Sequence, residues 1–317
     1  MIVELPDTTT SQVSKTLVKI REEGGAVALG RVLTLIIATA PGVAEEAIEA
    51  ANDASREHPM RVIVVSSDPS EADAPARLDA EIRVGGDAGA SEVIVLRACG
   101  DAARDEESLI MGLLLPDAPV VTWWPGAAPA SPGTSPLGRI AQRRITDASA
   151  QPDPQAALDV LRANYLPGDA DFAWTRLTLW RAQLAAVLDQ PPYTPVTAVH
   201  VTGAIDSPST TLLAAWLHMQ LGASTGYDLT PLDDGSHGIH GVVLDREPGP
   251  IELVRDVPGV ATLRQPNQPV HDVALPRRSL RDCLADELRR LDPDELYGEV
   301  ITDGLVLLGA AEGEGRD

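Results

Sequence analysis

The chain has 317 residues, 44% of them hydrophobic, and a formal net charge of −22. That length supports two cores more readily than one, and the charge argues against nucleic acid and anionic membranes, because either polyanion is repelled over most of the surface. No apolar run approaches the roughly 18 residues of a membrane helix, and Met1-Ile2-Val3-Glu4-Leu5-Pro6 has neither the basic nor the apolar region of a signal peptide, which predicts a cytoplasmic protein.

In chain order, Thr9-Thr10-Ser11-Gln12 fits a capping box. Val13, Leu17 and Ile20 follow on one face and Gly24-Gly25 offers a left-handed stop, so the first helix is expected over about 10–23. Three Val- and Ile-rich runs, Val32 to Ala38, Val62 to Val65 and Val93 to Leu96, are too short for helices and read as buried strands. Between the first two, Val43 to Glu57 carries Ala47, Ala50, Ala51 and Ala54 at helical spacing, a small-residue stripe that lets a helix approach a sheet closely. This is a βαβ unit. Ala80 to Val84 is a further strand, and Gly85-Gly86-Asp87-Ala88-Gly89 reads as a turn, since a phosphate cradle needs a following helix and Asp87 repels the anion.

Ala103 to Leu114 is expected as a helix stopped by Pro116, and Pro119 to Trp124 as a strand ending at Pro125-Gly126. Adjacent tryptophans in a strand point to opposite faces, so at least one of Trp123 and Trp124 needs cover beyond the main core. That cover is either a second layer of the same domain or a ligand or partner, tryptophan being enriched at interface hot spots. A Pro-, Ser- and Gly-rich loop then delivers Arg139, Arg143 and Arg144. These either grip a phosphate or an acidic partner bidentately or form a solvated face paired with nearby acids.

Pro152 and Pro154 open a helix to Asn164, and Tyr165 to Asp169 is the expected domain boundary. Beyond it come a helix over 171–188, a strand over 196–201 and a helix over 208–221. Four runs between Gly238 and Ala274 are spaced as an antiparallel meander. An amphipathic helix follows over 279–291, then another opened by Asp292-Pro293-Asp294-Glu295, with an N-cap at Asp292, a proline at N1 and an acid at N3. The fold class expected is α/β, with an N-terminal mixed-sheet domain covered by helices (1–165), a C-terminal α+β domain with the meander (166–308) and a disordered tail (309–317).

No catalytic constellation is expected. Gly222-Ala223-Ser224-Thr225-Gly226 matches a hydrolase string, but a helix precedes the serine where a strand is required. His237-Gly238-Ile239-His240 lacks a third metal ligand. Neither a Walker A sequence nor G-x-G-x-x-G after a strand is present, so no cofactor or metal is expected. Cys283 falls on an apolar helix face and Cys99 ends a strand, neither with metal-ligand spacing.

Several ordered strings carry a resemblance over nearly the whole length. They include Leu5-Pro6-Asp7-Thr8-Thr9-Thr10, Gly25-Ala26-Val27-Ala28-Leu29-Gly30-Arg31-Val32-Leu33-Thr34-Leu35, and Ala54-Ser55-Arg56-Glu57-His58-Pro59 leading into Arg61-Val62-Ile63-Val64-Val65. Arg83-Val84-Gly85-Gly86-Asp87-Ala88-Gly89-Ala90-Ser91-Glu92-Val93, Trp123-Trp124-Pro125-Gly126, Arg143-Arg144-Ile145-Thr146-Asp147-Ala148 and Asp286-Glu287-Leu288-Arg289-Arg290-Leu291-Asp292 continue the match. With these the chain resembles the glucose-6-phosphate dehydrogenase assembly protein family, OpcA. Met60 stands where type members often have cysteine, so no redox role carries over to that position. The resemblance implies a non-catalytic activator that binds glucose-6-phosphate dehydrogenase, promotes its active oligomer and raises its activity in the oxidative pentose phosphate pathway. It shifts Trp123, Trp124, Arg139, Arg143 and Arg144 toward a partner-contact role. The other class left open is a sugar-phosphate sensor or enzyme using the arginine cluster.

Overall fold

The computed structural model describes residues 1–23, 30–67, 73–85, 92–231 and 237–314. β1 (Ile2–Leu5) leads to α1 (Thr10–Glu23), where the Gln12 N–H donates to Thr9 Oγ1 at 3.3 Å and caps the first turn. β2 (Leu33–Thr39), α2 (Ala44–Ala54) and β3 (Met60–Ser67) form the expected βαβ unit, its strands parallel with Leu35 beside Val62 and Ile37 beside Val64. Ala47, Ala50, Ala51 and Ala54 are all buried. β4 (Arg77–Arg83) pairs antiparallel with β5 (Glu92–Cys99). α3 (Glu106–Met111) starts later than Ala103, because the Asp105 carboxylate accepts the Ser108 N–H at 3.0 Å and fixes the cap there. β6 (Val120–Trp123), α4 (Pro136–Arg139), β7 (Arg143–Thr146), α5 (Pro154–Asn164) and β8 (Asp169–Asp171) follow.

The single helix expected over 171–188 is two, α6 (Phe172–Thr175) and α7 (Thr178–Leu188). At the break the Thr175 carbonyl accepts from Thr178 Oγ1 at 2.8 Å and Arg278 Nη1 at 3.0 Å, side-chain donors that compete with helical N–H groups. Then come β9 (Ala198–Ala204), α8 (Pro208–Leu221), β10 (Ser224–Thr230), β11 (Ile239–Asp245), β12 (Ile251–Val257), β13 (Val260–Arg264) and β14 (His271–Ala274). The chain ends in α9 (Leu280–Arg289), α10 (Glu295–Glu299) and α11 (Leu305–Glu314). The cap of α10 is Asp294, which accepts the Tyr297 N–H at 3.0 Å, so Pro293 precedes the cap instead of following one at Asp292. Helix α11 runs into the stretch expected to be a disordered tail, and residues 315–317 lie outside the described residues. So do Gly24-Gly25 and most of the 85–89 glycine loop.

The chain divides into two compact units. Unit 1 comprises residues 1–147, 168–170 and 279–293, and unit 2 residues 148–167, 171–278 and 294–317. The division differs from a single cut near residue 165, because α9 folds with unit 1. Unit 1 is an eight-stranded mixed sheet in the order β1-β4-β5-β3-β2-β6-β7-β8, parallel from β5 through β7. One face packs Ile36, Ile63, Ile94 and Leu96 against Val13 and Leu17 of α1 and Ile110 of α3. The other face meets α9, which packs against α2. Unit 2 is a six-stranded sheet ordered β10-β9-β11-β12-β13-β14. β10 and β9 are parallel and the remainder antiparallel, the meander the sequence implies. Its core joins Trp174, Trp180, Leu213, Val201, Leu253 and Tyr297. At Gly203 a Cβ would stand 2.1 Å from Thr210 Oγ1, so only glycine lets β9 lie against the first turn of α8.

α9 buries Cys283, Leu284, Ala285 and Leu288, and a charge pair ties it to the unit 1 sheet. Arg143 on β7 donates through Nε to Glu287 Oε2 at 2.9 Å and through Nη1 to the Asp292 carbonyl at 2.9 Å, and both side chains are buried. Removing one partner leaves an uncompensated charge inside, so Arg143→Ala or Glu287→Ala should cost about 3–5 kcal/mol of stability. The double change Arg143→Met, Glu287→Leu should recover much of it. Urea unfolding curves of the three variants measure this, and a neutral single variant would show that the pair does not anchor the helix.

Candidate functional site

The residues expected at a partner surface separate in the structure. The Trp123 ring is 0% exposed and that of Trp124 6%. Trp123 lies beside Ile145 in register with β7, on the face that carries Arg143 and α9. Trp124 packs on the opposite face with Val13, Leu17, Ile110 and Leu137. The expected alternation holds, but both faces of this sheet carry a helical layer, and each covers one ring. Arg143 and Arg144 likewise point to opposite faces. Arg143 binds Glu287, while Arg144 donates through Nε to Asp169 Oδ1 at 2.5 Å and through Nη1 to the Ala141 carbonyl at 3.0 Å. Both are buried. Arg139 alone is exposed, bonded to Glu107 at 3.0 Å and to the Thr134 carbonyl at 3.1 Å. The contact surface expected from Trp123, Trp124, Arg143 and Arg144 is therefore corrected to interior packing, for the reason that strand alternation sends neighbours to two covered faces.

Other motifs resolve in place. Ser224 opens β10 directly after α8, the reverse of a nucleophile elbow. His237 Nδ1 lies 2.7 Å from Asp206 Oδ2, and among the described residues no three His, Cys, Asp or Glu side chains gather as a metal site. Cys283 is buried in α9 and Cys99 is partly exposed at the end of β5.

Unit 2 brings together a different set of arginines. Arg176, Arg255, Arg277 and Arg278 line one recess that opens to solvent, with Ser149 and Ser207 on its wall. Arg176 follows α6 and donates through Nη1 to Ser149 Oγ at 3.3 Å. Arg255 on β12 donates through Nη2 to the Ile239 carbonyl at 2.6 Å and the His237 carbonyl at 3.1 Å, with its guanidinium 5.9 Å from the Trp180 ring. Gly238 between those carbonyls has φ +78, and a Cβ there would stand 3.0 Å from Arg255 Nη2, so glycine lets the turn wrap the guanidinium. Arg277 and Arg278 come from the segment before α9, and Arg278 Nη1 is fixed by Thr175 and by Thr178 Oγ1 at 3.1 Å. Burial, and then the charge of Arg277, hold Arg255 below the usual guanidinium range. Among the described residues neither Arg255 nor Arg277 forms an ion pair with a carboxylate.

Sequence reasoning missed this cluster because its members come from positions 176, 255, 277 and 278, on separate elements. The one local signal is Pro276-Arg277-Arg278, an adjacent basic pair in an acidic chain.

For the tryptophans the packing generates a clear expectation: Trp123→Ala and Trp124→Ala should each cost about 3–5 kcal/mol of folding stability. Chemical denaturation reads this directly, and a change below about 1 kcal/mol in either variant would contradict its placement in the core.

Two family models match the chain. One, described as the N-terminal domain of the glucose-6-phosphate dehydrogenase subunit, takes in residues 51–163, and the other, described as the C-terminal domain of the same protein, takes in residues 167–301. No curated protein matches the chain. Among solved structures, an oxidoreductase from Sinorhizobium meliloti is 12% identical with a TM-score of 0.44, covering 90% of this chain and 89% of that one. A myo-inositol dehydrogenase from Lactobacillus casei, solved with NAD(H) and myo-inositol, is 9% identical with a TM-score of 0.41, covering 89% and 95%. An inositol dehydrogenase homologue from Azotobacter vinelandii is 10% identical with a TM-score of 0.41, covering 90% and 89%. Likenesses that distant carry nothing about chemistry. The two family models, which between them take in most of the chain, show the family: this chain belongs to the glucose-6-phosphate dehydrogenase assembly protein family, OpcA.

Proposed function

We propose that this protein is a non-catalytic activator that binds glucose-6-phosphate dehydrogenase in the cytoplasm, promotes its active oligomer and raises NADPH production at the entry to the oxidative pentose phosphate pathway. The observation that carries this reading is the match of two family models named for that dehydrogenase, one on each side of residue 165. An allosteric activator of this kind must bind the active oligomer more tightly than the inactive state, since equal affinity shifts no population. The sensor or enzyme reading based on Arg139, Arg143 and Arg144 loses its support, because two of the three are buried on opposite faces of a sheet with acids of their own.

Titrating the protein into a fixed amount of the cognate dehydrogenase, with glucose 6-phosphate and NADP present, should raise NADPH formation per dehydrogenase protomer to a plateau. The protein alone should produce none. A flat titration, or NADPH from a preparation free of dehydrogenase, would overturn the proposal.

A further inference from the structure

The recess in unit 2 has the composition of an anion site. Two of its guanidiniums, Arg255 and Arg277, have no carboxylate partner among the described residues, in a chain whose 47 acidic residues far outnumber its 25 basic ones. Arginines on an acidic protein find carboxylates readily, and leaving one half-buried beside another raises the energy of both. Arg255 is held in that position by two backbone carbonyls and a glycine turn, not by an opposite charge. Asp206, the residue before Ser207, meets His237 Nδ1 through Oδ2 at 2.7 Å, and its Oδ1 has no hydrogen-bond partner among the described residues. A bound anion is what would relieve the repulsion.

We propose that this recess binds a phosphate group, inorganic or carried by a small phosphomonoester, through Arg176, Arg255, Arg277 and Arg278 with the Ser149 and Ser207 hydroxyls beside them. The chemistry favours phosphate over carboxylate. A carboxylate is satisfied by one guanidinium fork, whereas a tetrahedral oxyanion with up to two charges accepts from several forks that converge from different directions. The enclosed free volume is only about 20 Å³, little more than one water needs, so the rest of an ester stays outside the recess. Ser207 is buried and precedes α8, and its hydroxyl accepts from Thr210 Oγ1 at 3.1 Å, which leaves its own proton to donate. A polyanion is excluded, because the positive charge is one recess and not a stripe, on a chain of net charge −22. The site stands on unit 2 alone and does not rest on the dehydrogenase reading.

Calorimetric titration of the full chain with inorganic phosphate, glucose 6-phosphate and glucose tests this. Both phosphate-bearing probes should bind and glucose should not. Arg255→Gln and Arg277→Gln should each weaken binding about tenfold or more, while Arg104→Gln, an exposed arginine of unit 1 paired with Asp101, should leave it unchanged. Arg277 is exposed, so its variant keeps the test intact if Arg255→Gln fails to fold. Tighter binding of the ester identifies a phosphorylated metabolite as ligand, and tighter binding of phosphate identifies the free anion. No binding of either probe at millimolar concentration, equal binding of glucose, or an affinity that is the same in Arg277→Gln as in Arg104→Gln would overturn the proposal.

Discussion

The buried pair between Arg143 and Glu287 joins residues 144 positions apart and decides how the chain is divided. β7 is only four residues long and two of them are arginines, which makes it a poor interior strand by composition. It is stable in the sheet because each guanidinium meets a carboxylate on its own face, Glu287 from α9 and Asp169 from β8. Desolvating four charged groups is repaid only where the hydrogen bonds are nearly complete, and the Asp292 and Ala141 carbonyls supply the remaining acceptors. The end of unit 1 therefore waits on a segment from beyond residue 278, and its topology is necessarily discontinuous.

The same device recurs near the centre of the sheet. Glu92 on β5 is buried and receives Arg61 from β3 through Nε at 2.8 Å and Arg21 from α1 through Nη2 at 2.9 Å, while Arg61 Nη1 reaches the Leu113 carbonyl at 2.5 Å. Glu81 on β4 accepts from Arg83 Nε at 2.5 Å and Arg97 Nη2 at 2.7 Å. These two arginines overcome the upward push of burial and hold its carboxyl below the usual range. Apolar runs of Val and Ile tolerate a register slip within a sheet buried on both faces, since every position is equally greasy. A charged residue that must meet one particular partner does not. In unit 1 the arginines fix register and the hydrophobic runs supply the bulk of burial.

That division explains which parts of the fold were legible. β2, β3 and β5 were visible as apolar runs, and α2 as an alanine stripe, because burial writes a periodic signal into composition. β7 carries no such signal: Arg143-Arg144-Ile145-Thr146 looks like a polar loop until its two carboxylates are placed, and they come from elsewhere in the chain. β10 was missed for a related reason, as an edge strand with Gly226 and Asp228 among its seven residues. The Trp123-Trp124 pair was legible in geometry and not in consequence. One covered face predicts one ring left over, whereas helices on both faces leave none, and a count of layers cannot be taken from a four-residue strand.

Charge at two length scales separates the units. At a distance the protein presents −22 to any approaching anion, but that field decays over a screening length of about 8 Å at physiological ionic strength. Within the unit 2 recess Arg255 is held by two carbonyls, and neither it nor Arg277 has a carboxylate partner among the described residues. Neutral acceptors hold a guanidinium in place without cancelling its charge, so the positioning of these arginines and their positive potential are independent. At Arg61, Arg143 and Arg144 of unit 1 the two are inseparable, because the carboxylate that helps to position each arginine also neutralises it. An arginine fixed by carboxylates is a structural member, and one fixed by carbonyls beside a second cation keeps its charge available to a ligand. On that criterion the pairs at Arg143 and Arg144 belong to the architecture of unit 1, whereas Arg255 and Arg277, side by side and without a carboxylate partner among the described residues, keep their charge available.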